Sequence, residues 1–231
     1  MERREVQRGI RESWAAVVDL KLAESFSTAA PLQVNEEFRE LLLSDEVEYT
    51  ALYLTGLKLQ HFNILLTDFS FFQYGFNRDD HVRYAYYPNP FIEPVDASEN
   101  IPRLRELVEA ELITNEEFLA LVNDQRSDNR AAPIRYENAP RDRKPFSHPC
   151  SHFHIGHGTV GRWALSRHLT PLAFTLLVLK HYYVAQWLEG ESLEEESGNV
   201  FETRLIRARA DCEEVPEALF SRLEKKCFHF S

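Results

Sequence analysis

Glycine is scarce in this 231-residue chain, at 8 residues. That scarcity argues against a glycine-rich phosphate loop and against a many-turned all-β fold. Cysteine is scarcer still. Cys150, Cys212 and Cys227 are an odd number with no CxxC pair. Such a pattern excludes a disulfide framework and points to a reducing, cytoplasmic setting. The longest apolar stretch, Leu172 to Leu179, falls far short of the roughly 18 residues a membrane span requires. No apolar segment follows the charged Met1-Glu2-Arg3-Arg4-Glu5 start, so no secretory leader is expected there, and no repeat of solenoid length is present. Net positive charge is missing too: the balance is −11, which disfavours nonspecific binding of nucleic acid by the molecule as a whole.

What is present is a core-forming composition. Hydrophobic residues make up 44% and aromatics 12%, mostly Phe and Tyr. A chain of this length buries roughly 70% or more of its unfolded surface. Against the acidic whole stands a positive island from Arg126 to Arg167. It carries eight basic residues (Arg126, Arg130, Arg135, Arg141, Arg143, Lys144, Arg162, Arg167) and three acidic ones (Asp128, Glu137, Asp142), for +5, which leaves −16 on the rest.

Apolar spacing predicts an amphipathic helix over 4–25, a second over 35–43 that Asn35 can cap, and a third over 45–59. Aromatic alternation on either side of Asn77-Arg78-Asp79-Asp80 predicts a β-hairpin over 68–87. Residues 101–125 are expected to be helical in two pieces, with Thr114 and Glu117 forming a capping box. Short strands are expected over 133–139, 147–156 and 159–165. A core helix should run from Pro171 to Leu188, then a strand over 200–206 and a helix over 216–226. The fold class expected is α+β in one domain over 1–231: a small, mainly antiparallel sheet packed with helices from both ends. Within it, 1–44 would be a helical N-terminal extension, 45–190 the motif-bearing core and 191–231 a C-terminal extension.

The segment richest in chemistry is Ser147-His148-Pro149-Cys150-Ser151-His152-Phe153-His154-Ile155-Gly156-His157. As a strand it would set His148, Cys150, His152 and His154 on one face. Two chemistries fit. Two of the histidines could act as general base and acid on a phosphodiester, since imidazole titrates near neutrality. Arg135, Arg141, Arg143 and Lys144 would then supply cations for the phosphate. Alternatively, His148, Cys150, His152 and His154 could hold zinc or another divalent metal. A second constellation, Arg83-Tyr84-Ala85-Tyr86-Tyr87, places Tyr84 and Tyr86 on one strand face, where they could stack on bases or pack the core.

Phe71-Phe72-Gln73-Tyr74, Arg83 through Phe91, and Ser147-His148-Pro149-x-Ser151-His152-x-His154-Ile155-Gly156 resemble a bacterial domain of unknown function, the 2290 family, over about residues 45–190. That resemblance implies no activity. Ile134-Arg135-Tyr136-Glu137-Asn138-Ala139-Pro140, followed by the His-rich strand, is similar to the motif of small TumE-type toxins of bacterial toxin–antitoxin pairs. This second resemblance implies RNA cleavage, with Arg135, Tyr136, Asn138, His152 and His154 at the active site. Here Glu137 stands where those toxins carry Asp, and Arg141 where they carry His.

Together these features lead to the expectation of a prokaryotic defence or toxin-like effector with RNA-directed nuclease activity and no cofactor. Its catalytic residues would be His152, His154, Arg135, Arg83 and His148. Its binding residues would be Tyr84, Tyr86, Tyr136, Asn138, Arg141, Arg143 and Lys144. RNA is the expected substrate, a protein partner or antitoxin the expected companion, and no membrane is involved. Two rival readings are a metal-dependent phosphohydrolase and a non-catalytic subunit whose acidic surface docks a basic partner.

Overall fold

The computed structural model describes residues 2–44, 47–77, 81–91, 104–108, 110, 112–114, 117–118, 132–157, 161–190 and 199–228. Its frame is a seven-stranded sheet in which each strand pairs antiparallel with the next along the chain. The strands are β1 (Ala23–Phe26), β2 (Ile64–Leu66), β3 (Phe71–Phe76), β4 (Val82–Tyr87), β5 (Ile134–Asn138), β6 (Ser151–Ile155) and β7 (Trp163–Ala164). The helices are α1 (Arg3–Asp19), α2 (Glu36–Leu43), α3 (Tyr49–Lys58), α4 (Pro171–Tyr182), α5 (Val184–Glu189), α6 (Val200–Ala210) and α7 (Arg222–Phe228). Residues 104–108 are also helical. The fold is α+β, as its sequence predicts. Among the described residues no helix is long and apolar enough to cross a membrane.

The central strands are aromatic on both faces, so both faces must be covered. On one face Phe72, Tyr74, Tyr84, Tyr86 and Tyr136 are buried with Ile10 and Val17 of α1, Phe174 and Leu176 of α4 and Leu205 of α6. The tyrosine hydroxyls there find partners: Tyr74 with Thr175 at 2.6 Å, and Tyr86 with Tyr183 at 2.8 Å. On the other face Phe71, Ala85 and Tyr87 are covered by Phe38 of α2 and by Leu52 and Tyr53 of α3. That cover stops short. Farther along the same face the side chains turn polar, and the site described below lies there.

Several elements depart from their sequence-based spans. The N-terminal helix ends at Asp19 rather than near residue 25, because Lys21 turns the chain at φ 58° into β1, which pairs with β2. Neither β1 nor β2 is expected from the sequence; each is too short to show a period. The core helix breaks at Tyr183 (φ −124°, ψ 53°), whose hydroxyl donates to Asp68 at 2.7 Å. The strand expected over 200–206 is instead helix α6. Phe201, Leu205 and Ala208 recur at helical spacing and are buried, and the Asn199 side chain accepts from the Phe201 and Glu202 N–H groups. The predicted Asn35 cap is present, accepting from Phe38 N–H, as is the Thr114–Glu117 capping box. The remainder of the helical span expected over 101–125 lies largely outside the described residues.

Gly56 in α3 is where the second helical layer meets the sheet. A Cβ there would stand 2.6 Å from Phe71 Cζ and 3.1 Å from Phe38 Cε2. In an exposed helix Gly→Ala gains about 1 kcal/mol. Forcing a methyl into this packed contact costs about 1–3 kcal/mol. Gly56→Ala is therefore expected to lower the urea midpoint; a raised midpoint would show that α3 can move off the sheet.

Candidate functional site

Antiparallel pairing assembles the site. Across β4, β5 and β6, Arg83 lies opposite Glu137 and Glu137 opposite His152. In the next row, Ala85 lies opposite Arg135 and Arg135 opposite His154. Side chains alternate along a strand, so all of these project from one face. The intervening Tyr84, Tyr136 and Phe153 project from the other, into the helical layer.

Three donor atoms converge there. His152 Nε2 and His154 Nε2 are 3.0 Å apart, and Glu137 Oε2 lies 3.8 Å from each. Of all His, Cys, Asp and Glu side chains among the described residues, these three form the cluster with metal-ligand spacing. A tetrahedral ion with bonds of ~2.1 Å sets its ligands ~3.4 Å apart, between the observed separations. Both rings are buried, while the Glu137 side chain is 21% exposed. His152 Nδ1 lies 2.8 Å from the Pro149 carbonyl oxygen. A carbonyl only accepts, so Nδ1 carries the proton and donates it, leaving Nε2 with its lone pair. A backbone carbonyl orienting the far nitrogen is the usual support for a metal-ligating imidazole. Without an ion, the 3.0 Å contact requires His154 Nε2–H to donate to His152 Nε2. His154 Nδ1 is buried with no hydrogen-bond partner among the described residues.

The electrostatics agree with this proton arrangement. Burial alone would raise the Glu137 carboxyl, but the adjoining His154 ring and the Arg83 and Arg135 guanidiniums outweigh it and hold it at about 2. Burial pushes His152 down to about 4, with His154 adding to the effect, so it is neutral at pH 7. At 3.8 Å the Glu137 contacts are electrostatic, too long for hydrogen bonds.

The other predicted residues are dispersed. His148 precedes β6 instead of lying on it, and its ring meets His152 edge-on with centroids 5.0 Å apart. Cys150 is not on the histidine face. It donates to Asn138 Oδ1 at 3.2 Å and is buried with Ala164, Val215 and Phe220. Of the four donors expected on one face, His152 and His154 converge with Glu137, while His148 and Cys150 stand apart, because the strand begins only at Ser151. Tyr84, Tyr86 and Tyr136 are core residues, each at most 1% exposed, and cannot stack on a base. Asn138 is buried beside Cys150. Nor is the positive island one surface. Arg143 donates to the Leu219 carbonyl and pairs with buried Glu224 at 2.8 Å, and Arg167 donates to the Cys212 carbonyl. Arg141 lies on the exposed 3-10 turn Pro140–Asp142, Lys144 bridges to His148 through backbone, and Arg126 and Arg130 lie outside the described residues.

Glu137 and Tyr87 are the residues that sequence reasoning passed over. Glu137 stands two residues from Arg135, and that alternation beside a His-x-His strand was the available signal. Tyr87 shares the face of Arg83, and its buried hydroxyl has no hydrogen-bond partner among the described residues.

One family model matches, described as an uncharacterised conserved protein (DUF2290), over residues 23–231. The chain belongs to the DUF2290 family. The match reaches well beyond the 45–190 span of the sequence motifs. No curated protein and no solved structure matches, so the TumE-type likeness gains no support.

The buried neutral His152 makes stability depend on pH. Its pKa is about 4 folded against 6.5 as the ordinary value, so between these limits the unfolded chain binds more protons. Stability is therefore lost as pH falls from 6.5 towards 4. For Glu137, lowered from 4.5 to about 2, the corresponding loss comes as pH falls below 4.5. In urea titrations of metal-free protein, His152→Gln should flatten the slope between pH 6.5 and 4.5. Parallel curves for variant and wild type would contradict this.

Proposed function

We propose that this chain is a metal-dependent phosphodiesterase of the nuclease type, with a divalent ion held by Glu137 Oε2, His152 Nε2 and His154 Nε2. The observation that carries it is the convergence of those three atoms with the His152 tautomer already fixed by Pro149. Two imidazoles and a carboxylate, without thiolate, suit zinc, manganese or iron. The spacing favours this over metal-free acid–base cleavage. A base and an acid must stand on opposite sides of a scissile phosphate, and nitrogens 3.0 Å apart leave no room for one.

The substrate class follows from the cations. Arg83 is the cross-strand neighbour of Glu137, and Arg135 of His154. Permanently charged guanidiniums flanking a metal site suit the non-bridging oxygens of a phosphodiester. A bound ion would supply a Lewis acid and a water of lowered pKa. Arg83 and Arg135 would orient the phosphate, Glu137 would stay ionised as a ligand, and His148 would shield the outer edge of the His152 ring.

Metal content of purified protein tests the centre, and cleavage of end-labelled RNA and DNA with and without EDTA tests the activity. Glu137→Gln and His154→Ala should each weaken metal binding by at least roughly tenfold and abolish cleavage. Cleavage that survives EDTA would return the histidines to an acid–base role. No cleavage by a folded, metal-loaded protein would favour the non-catalytic subunit, for which the acidic remainder of the chain provides the docking surface.

A further inference from the structure

Next to the three converging donors, the same sheet face opens into a cavity of about 370 Å³ between β3–β4 and the chain entering α2. Arg83 and Glu137 line it, so it adjoins the three-donor cluster at Glu137, while His152 and His154 do not line it. Its floor is Gln73 and Gly75, and its wall includes Phe38 and His61. Gln73 is only 4% exposed, and its Nε2 donates to the His61 carbonyl at 2.5 Å, which leaves Oε1 as an acceptor. The half-buried His61 ring, backed by the buried Phe38 ring at a centroid distance of 5.2 Å, gives the space an aromatic side, and Leu32, Val34 and Phe76 add apolar lining. The volume lies near the lower end of the ~300–1,000 Å³ typical of small-molecule sites. That size suits a ligand of about one nucleotide.

We propose that this cavity binds a single nucleotide unit of an unpaired strand, with its phosphate at Arg83 and its base between the His61 ring and the Gln73 amide. The proposal rests on the phosphodiesterase reading and specifies its substrate: a strand must be single to place one base in the cavity while the adjoining phosphate reaches the ion. Stacking against an aromatic wall tolerates any base, whereas one buried amide in a fixed orientation distinguishes between base edges.

Gly75 offers a clean way to block the cavity. It has no left-handed backbone, and a Cβ there would meet nothing closer than the Arg83 carbonyl oxygen at 3.4 Å. Gly75→Leu should fold, fill the cavity from its floor and leave the three ligands in place. The experiment is calorimetric titration of the full-length, metal-loaded protein with the four nucleoside 5′-monophosphates and with inorganic phosphate, alongside metal analysis and a thermal melt. Wild type should bind at least one nucleotide about tenfold more tightly than phosphate, within the range expected of a single base–aromatic stack. Gly75→Leu should lose that preference with metal content unchanged, and Arg83→Ala should weaken every nucleotide. Equal affinity for phosphate and all four nucleotides in wild type would overturn the proposal, whether or not Gly75→Leu folds. So would a folded Gly75→Leu that binds nucleotide normally. The two readings fail separately: nucleotide binding by a protein that takes up no metal sinks the metal centre alone, and metal uptake without nucleotide binding sinks the cavity proposal alone.

Discussion

The pairing of β5 with β6 is the constraint on which the site depends. With Arg135 opposite His154 and Glu137 opposite His152, three converging donor side chains and one cation share a face. A slip of one residue would send that whole set into the helical layer. Tyr136 opposes such a slip from the other face. It is fully buried, its hydroxyl contacts Ser151 Oγ at 3.1 Å and accepts from Leu169 N–H at 3.0 Å, and its ring packs between Tyr84 and Phe153. The register is pinned on the dry face and used on the polar one.

A second chain of contacts fixes the approach to β6. Buried Glu224, at the start of α7, accepts hydrogen bonds from Arg143, from Ser221 and from Phe146 N–H. Those bonds hold the turn at 143–148, whose ends close on each other through the Lys144 and His148 backbones. Past that turn the Pro149 carbonyl meets His152 Nδ1. The C-terminal helix thus reaches the tautomer of a site imidazole through a turn and a carbonyl, without touching the site.

The sequence shows the ingredients of this arrangement better than their relations. The β3–β4 hairpin, the Asn35 cap and the shared side of His152 and His154 all follow from local pattern. The parity of β4 was legible too, with Arg83, Ala85 and Tyr87 against Tyr84 and Tyr86. Alternation cannot say which side is dry, because both sides carry aromatics, and Tyr84 and Tyr86 proved to be core. Glu137 could not be recruited from sequence, since its place beside His152 depends on interstrand register. Charge counting failed for a similar reason: Arg143 and Arg167 spend their charge on distant C-terminal groups. In α6, a segment rich in β-branched and aromatic residues folds as a helix because its buried positions fall at helical spacing and Asn199 caps it.

The seven strands run in simple succession, but their connections are very unequal. All three donor atoms come from the hairpin between Ile134 and Ile155, whereas Arg83 lies beyond the long connection joining β4 to β5. Closing a longer loop adds only about 0.6 kcal/mol per doubling of its length. Apart from Phe91, Leu104, Val108, Ile113 and Phe118, which pack into the core, the connection can therefore change length without disturbing the hairpin that gathers the donors. The three donor side chains and Arg83 of the proposed nucleotide cavity thus come from opposite sides of that joint, so the Arg83 side would be free to diverge while the donor hairpin is kept.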